Sequence, residues 1–515
     1  MQLYRKTISL VTVAILSVMA GCDKEVSSTE ILTPLKPTNI DANAGNWKMI
    51  FMTSPSQVAL AQPVDPSTDA YKAELAAIKT AQLNLTSAQR AVIDYWSVGG
   101  VLRWNQLFRE LVAKYNLPPA PQPDGTYVFP SAENPFADPQ FPFSNPPYAA
   151  RAYSYLSVAQ ADAMKATWYY KYLYKRAAPY TIDAGVQALV PKTDLPAYPS
   201  EDAVLSGVTA ELLKALFPAA LEFITLKAGD QRNAALWSGK ASSTDISAGL
   251  AMGKSIAALF IARASGDGMA AAVGNKAQWQ AFADNTTAKG EVPWICLELP
   301  ARPPMLPFFG NVKAWMMTPA NIVSERPTAP PSTSSVEMQN QLAEVKSFAT
   351  KATREQIAIV HKWADGAGTY TPPGHWNDIA EEYIRDANFS EVRAARAFAL
   401  LNMSLHDAAV GCWDTKYFYF NPRPSQLDPS IKTSTGIPNF PAYTSGHSTF
   451  SAAAATVLSY LFPARAADFD AQAKEASLSR LYGAIHYRVD TEMGLQHGKK
   501  IANYTVSFAN QDGAN

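Results

Sequence analysis

The most legible pattern in the chain is helical. Ser390 can cap a helix with Glu391 in its first turn, and apolar residues then recur at Ala394, Phe398, Leu401 and Leu405 towards Trp413, the spacing of one helical face. Pro422 and Pro424 stop helical continuation. After a loop with Gly436, Pro438 and Pro441, the pattern predicts a second helix starting at Ser445 to Ser448 and running through Tyr460. A third is predicted over about Ala467 to Tyr482 and a fourth from near His486. Few stretches alternate as strands do, so the expected fold class is all-α.

The same pattern occurs twice. At a shift of 245 residues, Ala149-Ala150-Arg151-Ala152 falls on Ala394-Ala395-Arg396-Ala397, and Asp162, Trp168 and Lys171 fall on Asp407, Trp413 and Lys416. At that shift Leu216-Phe217-Pro218-Ala219 falls on Leu461-Phe462-Pro463-Ala464, and Asp245, Gly249 and Gly253 on Asp490, Gly494 and Gly498. Matches at one ungapped offset over a hundred residues imply an internal repeat of one helical unit. The expected architecture is therefore two repeated four-helix-bundle-like domains, at 46–289 and 341–515, joined by a proline-rich connector over 290–340. Trp294, Phe308, Phe309 and Trp315 suit that connector to packing across both copies.

What differs between the copies carries the chemistry. Arg423 faces Ala178, Gly446 faces Glu201, His447 faces Asp202, Arg480 faces Ala235 and His486 faces Ala241. All six histidines lie in the second copy. The first copy reads as a degenerate scaffold whose two carboxylates would repel an anion; the second reads as the working bundle.

Composition adds little beyond a soluble globular profile. The chain has 515 residues, 48% hydrophobic and 17% charged, and 44 basic residues balance 44 acidic ones, so no nucleic-acid surface is expected. Any anion site must be a local concentration of charge. Residues 1–22 read as a processing signal: Arg5 and Lys6 precede an apolar run from Ile8 to Met19 that is short for a bilayer span. It ends Met19-Ala20-Gly21-Cys22, which resembles the bacterial lipoprotein motif and implies lipidation at Cys22. Residues 23–45 then read as a polar tether. The expected location is the bacterial cell envelope, lipid-anchored to the membrane and facing the periplasm or exterior. Cys296 and Cys412 are too few for a disulfide framework and read as buried free thiols.

Three pieces of the second copy suit a tetrahedral oxyanion. They are Lys416 with Arg423-Pro424, Ser445-Gly446-His447 at a helix start, and Ser479-Arg480 followed by His486 and Asp490. Two guanidiniums offer forked donors and the lysine a point charge. Ser445 offers a hydroxyl, and the Gly446 amide sits where a helix N-terminus favours anions and where glycine permits close approach. Asp490, four residues after His486 on an expected helical face, can hold one ring nitrogen and aim the other at the ligand.

These spacings resemble the type 2 phosphatidic acid phosphatase and vanadium haloperoxidase superfamily, with the motifs in the family's order and Thr444 standing where the family has proline. The resemblance implies that Lys416, Arg423, Ser445, Gly446 and Arg480 bind the oxyanion. It implies that His486 is the vanadium ligand, or in a phosphatase the nucleophile. His447 is then the general acid/base and Asp490 the orienting carboxylate. The haloperoxidase branch is the closer likeness, through Trp413 and the approach from Phe440 to Tyr443, which makes Trp413 and Phe440 substrate-contact candidates. Because both positions recur in the first copy as Trp168 and Leu195, core packing is an equal reading for them. Lys416, Asp490 and Ser445 also have counterparts (Lys171, Asp245 and Ser200), so each can be partly structural. His361, His375, His406 and His497 lack charged neighbours in the motifs and read as ordinary surface or core histidines.

Three functions fit these residues. One is a haloperoxidase with vanadate as cofactor and peroxide and halide as substrates. The second is a cofactor-free acid phosphatase acting on a phosphomonoester. The third is a non-catalytic oxyanion-binding lipoprotein.

Overall fold

The computed structural model describes residues 32–118, 120–127, 143 and 145–514, and among these the regular structure is entirely helical. The signal segment, Cys22 and residues 23–31 of the expected tether lie outside the described residues. From Pro34 onward the chain is one compact unit. The tether is therefore shorter than expected: Asp41 is buried and accepts from Ser390 Oγ at 2.5 Å and Arg393 Nε at 3.0 Å.

Four helices, α1 (Pro146–Tyr174), α2 (Glu201–Leu216), α3 (Leu221–Trp237) and α4 (Ser243–Ser265), have counterparts in order. These are α5 (Glu391–Tyr419), α6 (Gly446–Leu461), α7 (Ala466–Tyr482) and α8 (Arg488–Ala509). Their start positions repeat the 245-residue spacing of the sequence. The causes are local. Ser390 caps α5 by accepting from Arg393 N, and Lys175 and Phe420 close α1 and α5 in the left-handed conformation at φ 52° and 51°.

The long helices α1 and α5 pack against each other at the centre. Equivalent residues meet there: Asn402 Nδ2 donates to Ser157 Oγ at 2.9 Å. Two straps tie the halves together. Asp162 on α1 accepts the backbone N–H groups of Ile50, Phe51 and Met52, and Asp407 on α5 accepts those of Trp315 and Met316. The strap around Lys48 reaches the Asp512 carbonyl at 2.8 Å, and the one around Lys313 reaches the Asp267 carbonyl at 2.8 Å. Each strap thus joins both halves. The connector is ordered and pinned on α5, with Trp413 Nε1 and Tyr417 Oη both donating to the Met305 carbonyl. Cys412 is buried and Cys296 half-buried, and both are free thiols.

Candidate active site

Two glycines decide where the site forms. On α8, a Cβ at Gly494 would lie 2.9 Å from the Ser445 carbonyl, and one at Gly498 would lie 2.1 Å from the Thr449 carbonyl. Only glycine lets α8 lie so close to the start of α6. The contact brings Ser445 N within 2.9 Å of the Asp490 carbonyl, and His486 borders one cavity with Gly446 and His447.

His486 does not share a helical face with Asp490 as expected. It precedes α8, with Tyr487 as the cap residue, and Asp490 Oδ2 accepts from both Tyr487 N at 3.0 Å and His486 Nδ1 at 2.9 Å. The carboxylate is occupied in capping the helix, so the pair is made by the entry turn. With Nδ1 donating, Nε2 is the lone-pair nitrogen, and Arg423 Nη1 stands 2.9 Å from it. Burial, and then Arg423, Lys416 and Arg480, hold the imidazole well below its ordinary pKa, so it is neutral. Burial pushes the Asp490 carboxyl upward, against its backbone bond to Tyr487 and the nearby Lys416 and Arg423.

The cationic groups are held by carbonyls. Arg423 donates from Nη1 to the Ile485 carbonyl at 2.8 Å and from Nε and Nη2 to the Phe440 carbonyl at 3.1 and 2.9 Å. Arg480 donates to the Trp363 carbonyl at 2.8 Å and to Ser479 Oγ at 2.9 Å. Burial lowers both guanidiniums to about 10, which leaves them charged at neutral pH. Lys416 Nζ donates to the carbonyls of Pro441, Ala442 and Thr444, at 2.8, 3.1 and 2.5 Å, and burial lowers its pKa. Those bonds fix the loop at Thr444, where proline was expected.

A cavity of about 210 Å³ is bordered by Gly446, His447, Arg480 and His486 together with Trp413 and Phe440. Lys416, Arg423 and Ser445 do not border it. The lysine donates to the 440–444 loop, Arg423 donates to that loop from Nε and Nη2 while its Nη1 faces Ile485 and His486, and Ser445 Oγ accepts from Ser448 N at 3.3 Å as a helix cap. Their expected convergence holds for the field they create and not for the cavity wall. A Cβ at Gly446 would meet Phe450 at 3.8 Å and Trp413 at 3.9 Å, ordinary contact distances, so packing alone does not require glycine at this point of the cavity border. Trp413 and Phe440 pack with ring centroids 4.9 Å apart, tilted by 53°, and both border the cavity, so they are core and wall at once.

The structure adds a residue that the motifs omit. Asp365, in the loop after the Arg354–Lys362 helix, places Oδ2 3.6 Å from His447 Nε2 and Oδ1 3.0 Å from His375 Nδ1. Burial tends to raise this carboxyl, but the two histidines outweigh it and hold it well below the usual carboxylate range. His447 goes the other way, lowered to about 4 by burial and Arg480 against the pull of Asp365. His375 therefore has a charged neighbour after all, and its ring stacks on Trp363 at 4.3 Å. His361 is exposed, and His406 and His497 are buried away from the cavity border.

At the equivalent place in the first half the charges are internally matched. Lys171 Nζ lies 2.8 Å from Glu201, and Lys240 lies 3.0 Å from Glu201 and 2.6 Å from Asp202. The hollow there, about 90 Å³, is bordered by Glu201, Asp202 and Lys240, already paired with one another, and by Glu391, so it holds no unmatched cation for an anion.

Residues 396–512, the span of the histidine and arginine constellation, match the family model described as the PAP2 superfamily. The second bundle is a PAP2-superfamily domain. Over 70% of this chain and 91% of the other, the fold is similar to the crystal structure of "the first bacterial vanadium dependant iodoperoxidase", at 23% identity and TM-score 0.55. It is also similar to the holo-type bacterial vanadium-dependent chloroperoxidase, at 11% identity and TM-score 0.51, over 75% of this chain and 97% of that one. No curated protein matches the chain. The PAP2 domain and these neighbours support a phosphatase- or haloperoxidase-like enzyme with a small-molecule substrate of the oxyanion or phosphoester class.

Proposed function

We propose that the protein is a vanadate-dependent haloperoxidase-like enzyme, oxidising halide with peroxide at an oxyanion held by the second bundle. The observation that carries this reading is the placement of His486, its Nδ1 against Asp490 and its Nε2 facing guanidinium. A neutral nitrogen with a directed lone pair suits bonding to vanadium or phosphorus, and the charged Arg423 and Arg480 oppose a simple cation there. Vanadate, when bound, supplies the activation of peroxide. The chain's own residues do the rest: Arg480 and the Gly446 end of α6 neutralise negative charge, and Arg423 and Lys416 add positive field from behind. His447, steadied by Asp365, moves protons at an oxygen of the bound anion.

The haloperoxidase branch is favoured because the likeness to those structures runs through both halves of the fold, while the PAP2 match is confined to residues 396–512. That PAP2 match supports the second reading, an acid phosphatase with His486 as nucleophile and His447 as proton donor to the leaving group. We also propose that the mature protein begins at Cys22 and is anchored to the cell envelope by acyl chains; mass spectrometry finding an intact Met1 would contradict this.

Parallel assays decide between the reactions. Protein reconstituted with vanadate should oxidise iodide or bromide with peroxide, and the vanadate-free protein should not. Phosphomonoester hydrolysis without vanadate, coupled with no halide oxidation after loading, would establish the phosphatase instead.

A further inference from the structure

The cavity at His486 is small, and the connector builds a second hollow against it. Trp294, Ile295, Leu297 and Glu298 face the 433–439 loop across a dish of about 390 Å³. Thr435, Gly436, Ile437, Pro438 and Asn439 border both this dish and the inner cavity, so one loop forms a wall of each. The connector carrying the outer wall is preset by its main chain. Trp294 N donates to the Phe420 carbonyl at 2.9 Å, Ile295 N to Gln426 Oε1 at 3.1 Å, and Met305 N to the Asn439 carbonyl at 3.1 Å. Gln426 Nε2 returns a bond to the Pro293 carbonyl at 2.7 Å.

With its backbone so engaged, the segment still turns apolar side chains outward. Ile295 is 51% exposed, Leu297 37% and Leu299 98%. The one charged side chain in the dish, Glu298, is neutralised by Arg302 at 2.7 Å, and Arg302 itself borders the inner cavity. A rigid, apolar and charge-matched surface next to a cationic cavity divides one substrate by chemistry: anion inside, uncharged organic group outside.

We propose that the dish formed by Trp294, Ile295 and Leu297 with the 433–439 loop is a subsite for a neutral aromatic or other apolar organic group. This extends the proposed function by naming a substrate class, and it rests on that reading only for the identity of the inner ligand. The occupant is uncharged because the dish holds no uncompensated charge. It is a small molecule rather than a partner protein because the dish is itself small and shares the 435–439 loop as a wall with the inner cavity.

The test uses the full chain, the double variant I295D/L297D, and 1-naphthol as the probe. Both side chains point to solvent, so the variant should keep the wild-type melting temperature. Calorimetric titration should show 1-naphthol binding to the wild type and at least ~10-fold weaker binding to the variant, since a charge in an apolar contact costs more than a decade in affinity. Orthophosphate should bind both proteins equally. Absence of 1-naphthol binding, or equal binding by both, would overturn the subsite. So would a concentration-dependent dimer, or binding to phosphatidylcholine vesicles, that the double substitution abolishes while 1-naphthol binding is absent. If orthophosphate binds neither protein, the oxyanion reading fails, and the 1-naphthol comparison still decides the dish.

Discussion

At the scale of single residues, the site depends on which groups hold the two histidines. Asp490 secures the tautomer of His486, so Asp490→Asn should weaken vanadate binding through lost orientation, by roughly 10–100-fold as is usual for residues that orient a metal-site ligand. Vanadate titration of the purified variant measures it. Asp365 plays the matching part for His447, and its charge opposes the burial that lowers that imidazole to about 4. Removing the charge lowers the imidazole further. The acid limb of the activity profile, where His447 takes up its proton, should therefore move to lower pH in Asp365→Asn, by about one unit. An unchanged limb in the pH–rate profile would show that Asp365 does not act through His447. Asp365 was not legible in the sequence, because nothing in the motif spacings connects a loop aspartate to a histidine 82 positions later. His375 was misread for the same reason: its partner is ten residues away, on a turn that no periodicity reveals.

At the scale of elements, helices were legible and their exact junctions were not. Caps, proline stops and the 245-residue offset locate α5 to α8 closely, since those signals are local. The strap repeat escaped because its offset differs. Gly45-Asn46-Trp47-Lys48 and Gly310-Asn311-Val312-Lys313 are 265 residues apart, so an ungapped comparison at 245 passes over them. Their equivalence shows in the structure, where Gly45 packs on the Tyr169 backbone and Gly310 on that of Asp414. The two straps also make a prediction. Replacing Asp162 or Asp407 with alanine strands buried backbone donors, and each should cost about 3 kcal/mol or more of stability in denaturant unfolding. Asp407→Ala should weaken oxyanion binding as well, because its strap leads to Met305 on the cavity border, whereas Asp162→Ala should leave binding intact. The α6–α8 crossing is equally exposed: at Gly498 a Cβ has no room, so Gly498→Ala should destabilise by about 1–3 kcal/mol through overpacking.

At the scale of the molecule, the division between an anion-repelling first half and a cationic second half was readable from residue differences at one offset, whereas the pairing of those carboxylates with Lys171 and Lys240 shows only in the structure. What the sequence could not show is that the halves form one unit, because the straps and the α1–α5 contact depend on tertiary pairing. Burial on this scale also sets a pH response. His406 and His497 are both lowered to about 3 by burial, against an ordinary value near 6.5. Between those values the unfolded chain binds protons that the folded protein refuses, so these groups make stability fall as pH drops from about 6.5 towards 3. Asp407, raised to about 6, and Glu391, raised to about 7, act in the opposite sense, since the fold holds their protons more tightly. The histidine contribution is therefore best isolated by difference. His497→Leu should gain about 1.4 kcal/mol on the wild type for each pH unit below 6.5, down to about pH 4, in paired denaturant titrations. A constant difference across that range would mean that His497 is not neutral in the fold.

The functional predictions rest on one claim, that the second bundle holds a tetrahedral oxyanion on His486. The most direct measurement is vanadate binding to the wild type, His486→Ala and His447→Ala, followed by vanadium-51 magnetic resonance and calorimetry beside activity. The account predicts that the wild type binds vanadate and that His486→Ala loses both affinity and turnover. His447→Ala should keep much of the affinity and lose turnover by ~10²–10⁴-fold, as for general acid–base catalysis. Undiminished vanadate binding in His486→Ala, or equal loss in both variants, would contradict it.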